Sequence, residues 1–278
     1  MAIYGQTDTT SIQFQAVSAY GTSTPWVARI AMQNMDILKF CGVPEQTKLE
    51  ANAALMGLVE RMAPLEKAKE EIVGQVKAAF AAFESEGADF NWAFPGKPIP
   101  SVPDIKSQAE GFIQSAKVAL IAAAQVLNPF FGTSFDYRFN HIVAWARTTF
   151  GESDGFTENI EQCESFVSEF LKMRTAIEHP GSATFFVRNV QIVKQEGRWA
   201  FDLPVWGLQG KTQSPMLTDM QTIIENITEI SDILCTEIFL KKPNAFPMHL
   251  EVIPEEKRDP QCPVRLRVVP SIMPDIRA

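Results

Sequence analysis

The chain has 278 residues, of which 46% are hydrophobic and 21% are charged, so it is long enough and apolar enough to bury a substantial core. This composition excludes an intrinsically disordered protein. The net charge of −8 argues against a surface that binds long stretches of nucleic acid electrostatically, although it is compatible with RNA recruited at a local cleft.

The N-terminus contains neither the basic segment nor the apolar core of a signal peptide. The most apolar run, residues 118–127, has about half of the roughly 20 residues that a membrane-spanning helix needs. The four cysteines show no metal-binding spacing, and we expect them to be free thiols in a reducing compartment. The sequence therefore predicts a cytoplasmic protein with no membrane partner.

The first part of the chain, residues 1–100, predicts an N-terminal helical region. Its first helix is expected over residues 26–40, where apolar residues recur at helical spacing. A second helical pattern begins at Pro44. Pro64 is expected to kink this pattern or to begin a new helix over residues 65–84, because proline lacks the amide hydrogen that a helix interior requires.

Residues 87–103 contain four prolines and two glycines, which predicts a long loop and the boundary between two regions of the chain. Phe90, Trp92 and Phe94 lie in this loop. Aromatic side chains more often pack than bind ligands, so we expect them to attach the loop to the core, with ligand stacking as the alternative.

Residues 101–278 predict a helical bundle with a β-hairpin inserted in it. A helix over residues 104–127 is expected to be central, because its many alanines permit close helix approach. Alternating apolar and polar residues on either side of Glu196 and Gly197 predict the hairpin. The other expected elements are helices over residues 138–150, 155–180 and 215–242 and strands over residues 248–254 and 264–270.

The predicted fold class is therefore mainly α. We expect a helical bundle with a small antiparallel β-sheet, formed by the hairpin and the C-terminal strands.

The helix within residues 155–180 has one apolar face and ends in polar residues. Arg174 and His179 lie near its end, and Pro180 follows directly. Five residues turn an ideal helix by about 140° net, so the two side chains would point apart on a regular helix. Because Pro180 disfavours helical backbone at His179, the helix is expected to break there and let the imidazole approach the guanidinium. The carbonyl end of the helix would also favour a charged imidazole.

An arginine separated by four residues from a histidine, at the end of an amphipathic helix in a helical bundle, resembles the Arg-x(4 to 6)-His motif of the HEPN superfamily. Many members of this superfamily are metal-independent endoribonucleases, or relics of them, in toxin, antiphage and RNA-processing systems. The resemblance covers the motif and the surrounding helical region, residues 101–278. It departs from the usual pattern at Thr175, where the family commonly has Asn, Asp or His.

The resemblance implies catalytic roles for Arg174 and His179 on an RNA substrate. His179 would transfer protons, and Arg174 would stabilise charge on the phosphate. Supporting candidates are Thr175, Glu178 and His141. The family commonly builds the site from two copies of the motif, which implies a homodimer.

Other chemistries find no support in the sequence. It contains no phosphate-binding glycine loop, no HExxH motif and no GxSxG motif, and three histidines without clustered cysteines predict no metal site and no cofactor.

Two hypotheses of different class remain. The first is a metal-independent endoribonuclease, in the manner of a toxin or antiphage effector. The second is a non-catalytic helical module that binds a protein or nucleotide partner, with Arg174 and His179 as cations at a helix C-terminus. Thr175 and the acidic composition favour the second hypothesis, and the position of the motif favours the first.

Overall fold

The computed structural model describes residues 19–87, 92, 98–179, 181 and 183–271. The fold is mainly α with small antiparallel sheets, which confirms the predicted class. The α-helices are α1 (Pro25–Val27), α2 (Met35–Lys39), α3 (Glu45–Glu86), α4 (Ile105–Gln125), α5 (Asn128–Phe131), α6 (Phe139–Phe150), α7 (Gly155–Glu178) and α8 (Met216–Lys241). The strands are β1 (Phe185–Arg188), β2 (Gln191–Gln195), β3 (Arg198–Asp202), β4 (Val205–Leu208), β5 (Ser214–Pro215), β6 (Met248–Val252) and β7 (Leu266–Pro270).

The first predicted helix is present, but its middle is wider than an α-helix. Residues Ala28–Asn34 between α1 and α2 form a π-helix. Three polar side chains of this segment, those of Arg29, Gln33 and Asn34, are buried. Buried polar side chains need partners. Arg29 and Asn34 donate hydrogen bonds to Asp232 and Ser231 of α8, and Gln33 accepts from the backbone at the start of β7. The sequence pattern predicted the helix but gave no sign of the π-helical turn.

The second and third predicted helices are one continuous helix, α3, which passes through Pro64. Of the two outcomes expected at this proline, the new helix is wrong, and the kink stays a prediction. Pro64 is exposed, so solvent can satisfy the carbonyl that loses its helical partner. The neighbouring side chains of Met62 and Leu65 are fully buried and hold both halves of α3 on the same core.

Helix α4 lies at the centre of the core and packs against α3, α7, α8 and β1. Its alanines allow this, because side chains such as Ala109, Ala116 and Ala123 are fully buried and let neighbouring helices approach closely. The core is one cluster that extends from Trp26 to Phe239. The boundary near residue 100 stays a prediction.

The predicted hairpin is longer than a single pair of strands. Phe185 faces Leu208 in the β1–β4 ladder and Gln195 faces Arg198 in the β2–β3 ladder, so both ladders keep one register. Between them, Asn189 donates to the carbonyl of Val102 at 2.7 Å and accepts from its amide at 3.0 Å. This side chain joins the hairpin to the segment before α4.

The C-terminal strands do not extend the sheet of the hairpin. Among the described strands, β6 and β7 pair with each other alone, whereas β1, β4 and β5 form a separate sheet. The side chain of Gln33 explains how β6 and β7 attach to the helices. Its Oε1 accepts from the amides of Arg265 at 2.7 Å and Leu266 at 2.9 Å, so a polar side chain binds the backbone at the start of β7.

A close backbone contact joins the segment after α2 to the end of α8. The amide of Gly42 donates to the carbonyl of Lys242 at 2.8 Å. A Cβ atom at Gly42 would lie 2.2 Å from the carbonyl oxygen of Pro243. Only glycine fits this contact without a backbone shift.

Of the three aromatic residues predicted to attach the long loop to the core, the structure describes Trp92. Trp92 is buried and stacks on Phe83, with 5.5 Å between ring centroids. Phe90 and Phe94 lie outside the described residues. Packing is therefore confirmed for Trp92, and the other two side chains stay a prediction.

Candidate site at the C-terminal end of helix α7

Helix α7 begins and ends where its sequence requires. The side chain of Asp154 caps its N-terminus by accepting from the amide of Phe156 at 2.9 Å. Phe156, Val167 and Phe170 are buried on its apolar face. The helix ends at Glu178, and His179 adopts non-helical backbone with φ −129° and ψ 69°. The break that the sequence predicted at His179 is therefore present.

Two polar contacts fix α7 against α8, which runs antiparallel to it. Lys241 donates to Asp154 at 2.6 Å, and Asn159 donates to Glu237 at 2.6 Å. The hydrogen bond from Lys241 is the main reason that the pKa of Asp154 lies below its ordinary value. Both contacts lie near the start of α7, so the far end of the helix is held by other elements.

At that far end, Arg174 forms an ion pair with Glu178, one helical turn further along. The Arg174 side chain is 16% exposed, and its guanidinium carbon lies 5.9 Å from the ring centroid of Tyr137. Its Nε is buried and has no hydrogen-bond acceptor among the described residues. The guanidinium therefore lies in a fixed, mostly buried position with part of its donor capacity unused.

Two residues of α4 also interact with the carboxylate of Glu178. Gln114 donates to it at 3.3 Å, and Lys117 lies nearby with its Nζ 4.7 Å from the ring centroid of Tyr137. Burial by itself would raise the pKa of Glu178. The hydrogen bond from Gln114 and the charges of Arg174 and Lys117 outweigh burial, so this pKa lies below its ordinary value. Glu178 is therefore ionised at neutral pH.

His179 is exposed at the carbonyl end of α7. Its backbone amide donates to the carbonyl of Thr175 at 2.9 Å, which closes the last turn. Among the residues that the structure describes, none forms a hydrogen bond or an ion pair with its imidazole, and Arg174 pairs with Glu178 instead. The site thus has an anchored guanidinium and a free imidazole at one helix end.

The other predicted supporting residues, Thr175 and His141, form no hydrogen bond or ion pair with Arg174 or Glu178 through their side chains in the described ranges. Thr175 is exposed and lines a groove of about 520 Å³ that also contains Arg138 and Asn140. His141 is exposed near the start of α6, where its charge acts on Asp136. In the described part of the chain, His141 forms no hydrogen bond or ion pair with either Arg174 or His179. Roles for Thr175 and His141 stay predictions.

Sequence reasoning missed three residues that surround Arg174 and Glu178, namely Gln114, Lys117 and Tyr137. A signal for two of them existed. Gln114 and Lys117 are three positions apart, on one side of a helix that is otherwise rich in alanine and large apolar residues. Polar residues at that spacing in a central helix indicate a polar partner on a neighbouring element. Tyr137 gave no comparable signal.

A second concave surface, which Arg174 does not line, lies along α7. This apolar groove has a volume of about 710 Å³. Its apolar residues are Phe166, Phe170, Met173, Leu208 and Ile223, from α7, β4 and α8. Lys211 lies at its rim and pairs with no described carboxylate. The volume falls in the range of small-molecule sites, roughly 300–1,000 Å³.

Neither a metal centre nor a membrane span is found in the part of the chain that the structure describes. No three His, Cys, Asp or Glu side chains in the described ranges converge as metal ligands would. None of the helices within those ranges combines the length and the apolarity that crossing a bilayer requires.

Comparison with protein-family models, with curated proteins and with solved structures finds no match to this chain. The HEPN resemblance therefore rests on the Arg174 and His179 motif and its position at the end of α7.

Proposed function

We propose that the protein is a metal-independent endoribonuclease of the HEPN type, with Arg174 and His179 as its catalytic residues. The observation that supports this most is the arrangement at the end of α7. Arg174 is anchored by Glu178 and Tyr137, and five residues later the exposed imidazole of His179 pairs with no described residue. Anchored charge together with an accessible proton-transfer group is what phosphodiester transesterification requires.

The reaction would cleave RNA by attack of a ribose 2′-oxygen on the adjacent phosphorus. The new 2′-O–P bond forms while the P–O5′ bond breaks, which gives a 2′,3′-cyclic phosphate and a free 5′-hydroxyl. A base removes the proton of the 2′-hydroxyl, and an acid protonates the departing 5′-oxygen. Arg174 stabilises charge on the non-bridging phosphate oxygens.

One imidazole can serve as the base or the acid, and the other role needs a second group. The HEPN resemblance supplies it from a second copy of the motif, so we propose that the active form is a homodimer. His179 favours this arrangement because it is exposed and lies at the end of its helix, where another subunit could approach.

The test is incubation of the purified protein with mixed RNA in EDTA, beside the variants Arg174→Ala and His179→Ala. Matched controls are His249→Ala and Arg267→Ala, which change exposed residues of β6 and β7. We expect 2′,3′-cyclic phosphate ends with the native protein and both controls, and a loss of at least about 100-fold in each site variant. Equal cleavage by all five proteins, or by none, contradicts the proposal.

The second candidate is a non-catalytic module that binds a protein partner. The observation that favours it is the apolar groove beside α7, where Phe166, Phe170 and Met173 lie at the spacing of one helix face. The partner would insert apolar side chains into this groove and place an acidic residue near Lys211. Under this candidate, Met173→Glu should abolish partner binding and the native protein should not cleave RNA, which separates the two candidates.

A further inference from the structure

The carboxylate of Glu178 is held by groups from two helices. Arg174 pairs with it from α7, and Gln114 donates to it from α4 at 3.3 Å. The charge of Lys117, also on α4, acts on the same carboxylate. Lys117 and Arg174 lie against the ring of Tyr137, at 4.7 Å and 5.9 Å from its centroid. Together, these groups form a binding site for an oxyanion.

This oxyanion site carries more positive charge than Glu178 neutralises. Two cations face one carboxylate, and among the described residues no other acid pairs with Lys117 or with Arg174. The Nε of Arg174 is buried, and no group in the described ranges accepts a hydrogen bond from it. A guanidinium is suited to bidentate binding of phosphate, and a second cation nearby increases the attraction for an anion that carries three or four oxygens.

Glu178 can leave the site without unfolding α7. It is the last residue of the helix, and its side chain is 26% exposed. Rotation about its side-chain bonds would move the carboxylate into solvent, while the backbone hydrogen bonds of the last turn stay intact.

We propose that Glu178 is an internal competitor that occupies an oxyanion site formed by Gln114, Lys117 and Arg174, and that a phosphate group of the RNA displaces it. The identity of the ligand as RNA rests on the proposed function. The site itself rests on the contacts of Glu178. Lys117 and Gln114 thereby become binding residues for the phosphate beside Arg174, and Glu178 lowers the affinity of the empty enzyme for unrelated anions.

The test measures binding by calorimetry with two probes. The first is inorganic phosphate, and the second is a short oligoribonucleotide with 2′-O-methyl sugars at every position, which has no free 2′-hydroxyl and cannot undergo transesterification. We expect Glu178→Gln to bind both probes at least roughly fivefold more tightly than the native protein, since it removes a partly exposed competing charge. Adding Lys117→Gln or Arg174→Gln to Glu178→Gln should remove this gain.

Glu169→Gln is the matched control, because Glu169 lies on the same helix and forms an exposed ion pair with Lys172. It makes the same change in net charge away from the oxyanion site, so binding should stay at the native level. Glu178→Ala serves as a second variant if Glu178→Gln has a lowered melting temperature. An unchanged affinity in a folded Glu178 variant, or an equal gain with Glu169→Gln, overturns the inference.

The outcomes also separate this inference from the proposed function. RNA cleavage by the native protein together with an unchanged Glu178→Gln affinity would refute the internal competitor alone. Tighter phosphate binding by Glu178→Gln without any RNA cleavage would support the oxyanion site and contradict the nuclease. A gain for inorganic phosphate but not for the oligonucleotide would refute RNA as the ligand.

Discussion

Arg29 and Asp232 are separated by 203 positions in the chain, yet the Nε of Arg29 donates to the carboxylate of Asp232 across 2.7 Å. Both residues are buried, at 3% and 5% exposure. Arg29 also donates a hydrogen bond to Glu229 at 2.6 Å, and Glu229 accepts another from Arg265 at 3.2 Å. This network joins the π-helical segment to α8 and to the residue before β7.

Replacing Arg29 by methionine should lower the free energy of unfolding by about 3–5 kcal/mol, because it leaves the charge of Asp232 buried without its partner. Denaturant unfolding followed by circular dichroism measures this change. The double variant Arg29→Met with Asp232→Leu should recover much of the loss, since it removes both buried charges together. A double variant that is no more stable than Arg29→Met would contradict this account.

Asn189→Ala should lower the free energy of unfolding by about 1–3 kcal/mol, because it removes three hydrogen bonds, two with the backbone of Val102 and one from the amide of Val190. The same unfolding experiment measures it. Gln191→Ala is the control, since Gln191 is an exposed polar residue in the same hairpin. Equal effects of the two substitutions would show that Asn189 has no special role in attaching the hairpin.

Glu237→Gln should raise the melting temperature at pH 7. Burial raises the pKa of Glu237 above its ordinary value of 4.5, despite the hydrogen bond from Asn159. When the pKa of an acid is higher in the folded state than in the unfolded chain, ionisation favours unfolding. At neutral pH the group is ionised in the unfolded chain, so Glu237 lowers the free energy of unfolding there. As the pH falls below 4.5, the group is protonated in both states and the advantage of glutamine should disappear.

Asp154→Asn should change the melting temperature at pH 7 in the opposite direction to Glu237→Gln. The hydrogen bond from Lys241 lowers the pKa of Asp154 below its ordinary value of 3.8, so the ionised group stabilises the fold at neutral pH. The asparagine variant should therefore melt earlier than the native protein at pH 7. This difference should shrink as the pH falls through 3.8 and below, and a difference that grows toward acid would contradict the assignment.

The four cysteines should differ sharply in reactivity. Cys41, Cys163 and Cys235 are buried, and burial raises the pKa of the Cys41 and Cys163 thiols to about 12. Since the thiolate is the reactive form, a chromogenic disulfide reagent should modify the half-buried Cys262 first. The other three should react only with denaturant present. Cys262→Ser should abolish the fast phase, and its persistence would contradict the predicted order.

The helices and the hairpin were predictable because their signals are local. Helix α7 ends at Glu178, as the proline after His179 requires, and the hairpin turns at Glu196 and Gly197. The passage of α3 through Pro64 was not predictable, since it depends on the burial of the residues around the proline. The separate pairing of β6 with β7 depends likewise on a distant residue, Gln33.

The candidate site was predictable only on its own helix. Arg174 and His179 follow from a spacing in the sequence, whereas the pairing of Arg174 with Glu178 follows from one turn of α7. Gln114, which lies 64 positions before Glu178, reaches the site because α4 packs against α7. The spacing of Gln114 and Lys117 within α4 indicates a polar partner but cannot identify Glu178, because the relative placement of helices is fixed by the whole core.

The contact of Gly42 with Pro243 limits which residues the chain tolerates at position 42. Gly42 is exposed to solvent, and exposed positions usually accept most side chains. Here every residue other than glycine would meet a backbone carbonyl that cannot rotate away. In a survey of all single substitutions, this surface position should be as intolerant as the positions of the core.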